Sequence, residues 1–294
     1  MDANPLEQTL PPSHEVIAPR RRSLPLVFSS PHSGDDYPAE FVAASRLSAL
    51  ELRRSEDSFV DELFCAAPEE GAPLLRALFP RAYVDPNREP FELDQAMFAD
   101  PLPDYANTRS PRVACGLGTI ARIVASGAEI YRDKLSFDEA CARIHRHYWP
   151  YHTTLRQLVD ETRADFGFCI LIDCHSMPSH GVAMNGHKVA SDLDVVLGDG
   201  HGQSCASAVI DCVEASLTAM GYRVGRNNPY SGGFVTRHYG RPSEGVHALQ
   251  IEISRKLYMD EARIERSPEL QRMKKDLRHV ILALAKCAGQ GLVP

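Results

Sequence analysis

The chain has 294 residues, of which 44% are hydrophobic and 24% charged, enough apolar material for a substantial core and no bias toward disorder. Its 39 acidic against 32 basic side chains leave a net charge of −7. With Lys and Arg scattered through acidic stretches there is no basic face for a nucleic-acid backbone, so nucleic acid is excluded as a partner. No apolar run approaches the roughly 20 residues that cross a bilayer, which excludes a membrane span.

From the N-terminus, Asp2, Glu7 and the prolines Pro5, Pro11 and Pro12 lack the apolar segment of a secretion signal. Residues 1–22 are expected to be an extended arm on a single domain covering 1–294. Leu24 to Ser30 is an apolar, strand-forming run that stops at Ser30-Pro31-His32-Ser33-Gly34, a turn sequence that delivers His32 into a loop. Apolar positions recur at helical spacing over Ala39 to Leu50 and again over Ser58 to Ala67, on either side of Arg53 to Asp57. Ala82 to Val84 reads as a short strand before Asp85-Pro86-Asn87-Arg88, and the proline-rich stretch Pro90 to Arg112 as a long functional loop. Ser136 to Arg163 reads as a long helix, opened by Ser136 with Glu139 in a capping-box arrangement.

Phe168 to Ile172 is a continuous apolar run, the mark of a strand buried on both faces, and it ends in Asp173-Cys174-His175-Ser176. Helices are expected over Ser204 to Met220 and Pro268 to Ala288, and strands over Tyr222 to Gly225 and Ala248 to Ile253, the last carrying Glu252 among apolar neighbours. Alternating strands and helices indicate an α/β fold on a mostly parallel or mixed sheet. The eight cysteines include no CxxC pair and lie in apolar segments, which reads as reduced thiols in a cytoplasmic protein. Cys174 is expected to be a buried small hydrophobe rather than a nucleophile.

Three polar groups interrupt apolar strands: His32 after the first, His175 after the central one, and Glu252 inside the last. Open α/β sheets place their sites at the carboxyl ends of such strands. An isolated histidine is more often a turn or core residue with a satisfied hydrogen bond, and His145, His147, His152 and His279 are read that way. At strand ends, two imidazoles can serve as ligands of a hydrolytic metal site, with a nearby carboxylate to take the proton of a metal-held water. Glu252 cannot be buried alone and must meet a cation, a metal-held water or donors, an ion pair with Arg255 being the purely structural explanation. Arg88 and Arg237 offer planar guanidinium forks suited to carboxylates, with a salt bridge as the structural reading of Arg88. Gly232-Gly233 marks either a flexible turn or a close backbone approach to a ligand.

The motifs Ser30-Pro31-His32-Ser33-Gly34, Ser55-Glu56-Asp57, Asp85-Pro86-Asn87-Arg88-Glu89-Pro90, Asp173-Cys174-His175-Ser176-Met177, Asn228-Pro229-Tyr230-Ser231-Gly232-Gly233 and Gln250-Ile251-Glu252-Ile253-Ser254-Arg255, in this order, resemble the N-formylglutamate amidohydrolase family over most of the chain. The resemblance implies a three-layer α/β/α sandwich with a mixed, twisted sheet, related to zinc carboxypeptidases and aspartoacylases. It implies one zinc ion, or another divalent metal, held by His32, Asp57 and His175, with Glu56 the neighbouring alternative for the third ligand and Asp35 at the carboxypeptidase spacing. Glu252 is implied as general base, and Asn87, Arg88 and Arg237 as the groups that hold a small anionic N-acyl amino acid. The expected reaction is hydrolysis of N-formyl-L-glutamate to formate and glutamate in histidine degradation. The alternatives are another N-acyl amino acid or small amide, or a non-catalytic binding protein of the same fold.

Overall fold

The computed structural model describes residues 12–179 and 192–289, and between these segments only the backbone of a short strand pair. Among the described residues the strands are β1 (His14–Ile17), β2 (Leu26–Ser30), β3 (Leu74–Ala77), β4 (Cys169–Met177), β5 (Ala183–Met184), β6 (His187–Lys188), β7 (Val195–Gly198), β8 (Val224–Arg226), β9 (Val246–Ser254), β10 (Met259–Asp260) and β11 (Glu265–Arg266). The α-helices are α1 (Ala39–Ala44), α2 (Ala49–Arg53), α3 (Val60–Leu63), α4 (Ala66–Glu70), α5 (Pro111–Ala114), α6 (Phe137–Arg143), α7 (Trp149–Phe166), α8 (Ser207–Ala219), α9 (Phe234–Tyr239) and α10 (Leu270–Gly289). None of them is long and apolar enough to cross a membrane.

Seven strands form one sheet in the order β1-β3-β2-β4-β9-β7-β8. β3, β2, β4 and β9 run parallel, β1 pairs antiparallel with β3 at one edge, and β7 and β8 run against β9 at the other. Helices cover both faces, giving the expected sandwich on a mixed sheet. Successive strand residues alternate between faces. Ile170, Ile172, Cys174, Leu249, Ile251 and Ile253 pack with α3, α4, α8 and α10 in one apolar cluster. Cys169, Leu171, Val246 and Ala248 join α6, α7 and α9 in the other. Continuing that second row toward the carboxyl ends of β4 and β9 brings up Asp173, His175, Gln250 and Glu252, so the period of two puts all four polar residues on one face. Parallel pairing then sets Asp173 beside Gln250 and His175 beside Glu252.

Several expected elements differ. Of the extended arm over 1–22, residues 1–11 lie outside the described residues, and His14–Ile17 within it is the edge strand β1. Ala82 to Val84 is not a strand: Tyr83 N and Val84 N turn back to Pro80 O at 2.9 and 3.3 Å, and the strand in this region is Leu74–Ala77. Ala39 to Leu50 splits into α1 and α2 because Ser45 is extended (ψ 144°), and Ser48 and Glu51 form a capping box that starts α2. Ser58 to Ala67 likewise divides into α3 and α4. The helix expected over Ser136 to Arg163 carries a π-helical segment at Ile144–Tyr148. Pro150 explains it, since a proline has no N–H and its ring clashes with the carbonyl four residues earlier. Ser136 accepts from Glu139 N as expected, while the Glu139 carboxylate pairs with Arg143. β7 and α9 formed where no element was expected.

The buried His152 on α7 ties this helix to the polar region. Its Nε2 donates to Pro86 O at 2.8 Å, and its Nδ1 lies 3.0 Å from the Tyr239 hydroxyl. Burial is the largest influence on the ring and lowers its pKa to about 4. The folded protein therefore holds His152 neutral where the unfolded chain would protonate it, so its contribution is full above pH 6.5 and is lost as pH falls toward 4. We predict that the stability difference between wild type and His152→Gln shrinks by about 3 kcal/mol from pH 7 to pH 4, measured by urea unfolding across that range. A pH-independent difference would show that the ring is not held neutral.

Candidate active site

The structure brings His32, Asp57 and His175 together. His32 lies two residues past β2, in a turn whose Gly34 abuts the next strand's exit: a Cβ there would come within 2.3–2.6 Å of the Leu78 and Phe79 backbones. Only glycine allows that approach. The turn is fastened to the Asp57 loop by Asp57 N donating to His32 O at 3.0 Å and Ser33 Oγ donating to Asp57 O at 3.2 Å. His175 sits near the carboxyl end of β4. Asp57 Oδ2 is 3.2 Å from His32 Nδ1 and 3.0 Å from His175 Nδ1, and all three side chains are buried. The potential ligand atoms all lie within 4.8 Å of one another.

The far nitrogen of each ring meets another carboxylate, His32 Nε2 at 2.7 Å from Asp85 Oδ1 and His175 Nε2 at 2.9 Å from Asp173 Oδ2. With an ion bound, carboxylates placed there would hold the Nε2–H tautomer and leave both Nδ1 lone pairs facing it, as around metal-ligating imidazoles generally; without one, an Nδ1 proton can face Asp57. Three electron-rich atoms facing one point repel unless positive charge lies between them. A tetrahedral ion with bonds of about 2.0–2.1 Å separates its ligand atoms by about 3.3 Å, close to the 3.0 and 3.2 Å found here. The donor set therefore fits a divalent metal.

Charge organises the surroundings. Burial would raise the Asp57 carboxyl, but hydrogen bonds from His175 and His32 outweigh it and hold the group well below the usual carboxylate range. For Asp85 burial is likewise outweighed, here by Arg88, His32 and Arg81. Burial would lower His175, yet Asp173 and Asp57 hold it well above the ordinary imidazole value. The second oxygen of Asp57 accepts from Ser176 Oγ at 3.0 Å and from Arg255 at 3.2 Å. Arg255 thus pairs with Asp57, not with Glu252 as the structural reading had it. Glu56 points elsewhere: its buried carboxylate is taken by Arg53, Tyr37 and Ser58 at 2.7–3.2 Å. Asp35 is exposed.

Glu252 stands beside His175 in the strand register and accepts from Gln250 Nε2 at 2.8 Å. Burial is the main cause that pushes its carboxyl up to about 8; Asp57 adds to this and His175 opposes it. A buried carboxyl titrating near neutrality is suited to taking and returning a proton.

The residues expected to hold substrate are differently engaged. Asn87 places Nδ2 at 3.0 Å from Asp173 Oδ2 and 2.9 Å from His175 Nε2, and its Oδ1 accepts from Val235 N at 2.8 Å. The buried Arg88 donates to Leu117 O and Asn87 O, leaving one nitrogen 3.7 Å from Asp85. Arg237 is exposed on α9, and its Nη1 donates to Gly232 O at 3.5 Å. Arg81, which the sequence reading passed over, reaches Asp85 at 2.8 Å and lies in the field of Asp57 and Glu252. Asp173 and Gln250 were also missed as supports, although each stands two residues before a candidate site residue and so shares its face. Cys174 is fully buried with its thiol pushed up by burial and by Asp173, as an inert core residue would be, and all eight cysteines are free.

The model of the N-formylglutamate amidohydrolase family matches residues 24–259. The N-formylglutamate deformylase of Pseudomonas aeruginosa is 31% identical over 84% of this chain and 86% of its own length, and that of Pseudomonas putida is 29% identical over the same shares. The crystal structure of N-formylglutamate amidohydrolase from Ralstonia eutropha JMP134 superposes with a TM-score of 0.89 at 37% identity, covering 95% of this chain and 99% of that one. The family match takes in strands β2 to β9 and every candidate site residue, and the chain belongs to the N-formylglutamate amidohydrolase family.

Proposed function

We propose that this enzyme hydrolyses the formamide of N-formyl-L-glutamate to formate and L-glutamate in the cytoplasm, using one divalent metal ion, zinc, held by His32, Asp57 and His175. The observation that carries the reading is the convergence of His32 Nδ1, Asp57 Oδ2 and His175 Nδ1 beside Glu252, in a chain whose relatives are named for this reaction. Two imidazoles and one carboxylate also suit manganese, iron or cobalt.

The ion, when bound, supplies Lewis acidity for the amide carbonyl and for the attacking water. Glu252 accepts the proton of that water and returns it to the departing amine nitrogen, one carboxyl serving both steps. Arg81, Arg88 and Arg237 hold the two carboxylates of the dianionic substrate, an orientation that an acidic protein must provide locally. Asn87 is left out of this set because both ends of its amide are engaged within the protein. Ser176 and Arg255 occupy Asp57 Oδ1, which leaves the other oxygen for the ion.

Glu252→Gln is expected to retain zinc, measured by elemental analysis, while kcat falls by at least about 100-fold; a fully active variant would refute the role of base. Arg255→Lys loses the planar fork and is expected to weaken zinc binding by about 10-fold or more in chelator competition. Rates on N-formylglutamate set against other N-acyl amino acids test the substrate assignment, and zinc binding without deformylation would favour a different amide.

A further inference from the structure

The first N–H groups of a helix have no partner within it. At the start of α9 two of them are met by side-chain amides: Gly233 N donates to Gln250 Oε1 at 2.7 Å and Val235 N to Asn87 Oδ1 at 2.8 Å. A backbone N–H can only donate, so it fixes which end of each amide faces the helix. The two NH2 groups are thereby aimed the other way, and both end on carboxylates of the site. Gln250 Nε2 donates to Glu252 Oε1 at 2.8 Å, and Asn87 Nδ2 to Asp173 Oδ2 at 3.0 Å.

All four side chains are buried. Asp173 Oδ1 has no hydrogen-bond partner among the described residues, so Asn87 and His175 are the contacts that hold this carboxylate. Gly233 is matched to the arrangement, because a Cβ there would fall 2.3–2.5 Å from the Asn87 amide, whose position is pinned at both ends.

We propose that Asn87 and Gln250 are a pair of positioning residues that lock α9 onto the site: Asn87 orients the His175 ligand through Asp173, and Gln250 orients the Glu252 base. The inference rests on the metal-hydrolase reading above. Its two arms act on different parts of the machinery, so their losses separate. Asn87 affects how firmly the metal is held, whereas Gln250 affects the chemical step once metal and substrate are in place.

The test uses the full chain with Asn87→Ala, Gln250→Leu and Gly233→Ala, following melting temperature, zinc affinity by chelator competition, and kinetics on N-formylglutamate at saturating zinc. Asn87→Ala is expected to lose about 10-fold or more in zinc affinity with KM within about twofold of wild type. Gly233→Ala, which displaces the Asn87 amide without removing it, should show the same loss. Gln250→Leu should keep its zinc affinity within about twofold and its KM unchanged while kcat falls by about 10-fold or more. Wild-type zinc affinity with a raised KM in Asn87→Ala would place Asn87 on the substrate and overturn the proposal. So would an unchanged kcat in Gln250→Leu, or equal losses in melting temperature with no split between zinc affinity and kcat. Failure of the wild-type chain to bind zinc would instead defeat the hydrolase reading on which the inference stands.

Discussion

One oxygen of Asp57 faces the Nδ1 atoms of His32 and His175, and the other is held by Ser176 and Arg255. A buried carboxylate with fewer partners would be driven to protonate, and the four come from three separate parts of the chain: the turn after β2, the end of β4 and the residue after β9. Around it lie the carboxylates Asp85, Asp173 and Glu252 and the guanidinium groups of Arg81, Arg88 and Arg255. Four acidic groups against three permanent cations leave an excess of negative charge at the centre. A single proton balances it, and a divalent ion between the three candidate ligand atoms more than offsets it.

The sheet makes this arrangement possible. β4 and β9 are parallel, buried along their whole length, and paired from Cys169 with Val246 to Met177 with Ser254. Apart from His247, which accepts from Ala206 N, their first halves present apolar residues to both helical layers, and toward their carboxyl ends the α7 side turns polar. Rigid strands beneath, rather than loops, therefore carry His175 and Glu252, which suits a reaction that depends on fixed geometry. The loop groups are braced separately. Gly34 lets the His32 turn press against the end of β3, and His152 of α7 holds the Asp85–Asn87 segment through Pro86 O.

The departures from the sequence reading share a cause. Apolar spacing over Ala39 to Leu50 and over Ser58 to Ala67 correctly marks buried helical faces, but it carries no information about where an extended residue such as Ser45 breaks the helix. Ala82 to Val84 is buried in the apolar cluster under α7, so its composition resembles a strand while Pro80 closes it into a turn. Leu74–Ala77 and Val195–Gly198 are short runs whose strand character comes from neighbours on the sheet.

Local order in the sequence settled what depends on local chemistry: which strands lead to or carry His32, His175 and Glu252, that Cys174 is buried, and, through the period of two, that Asp173 shares a face with His175 and Gln250 with Glu252. Which of two adjacent acids enters the site was not local. Asp57 turns inward because Arg255 and Ser176 meet it there, and Glu56 turns outward to Arg53, Tyr37 and Ser58. The parallel register of β4 on β9 and the capture of the α9 amides by Asn87 and Gln250 are likewise contacts between segments far apart in the chain. No spacing encodes them, because they are selected by burial, charge pairing and hydrogen-bond satisfaction only once the sheet has closed.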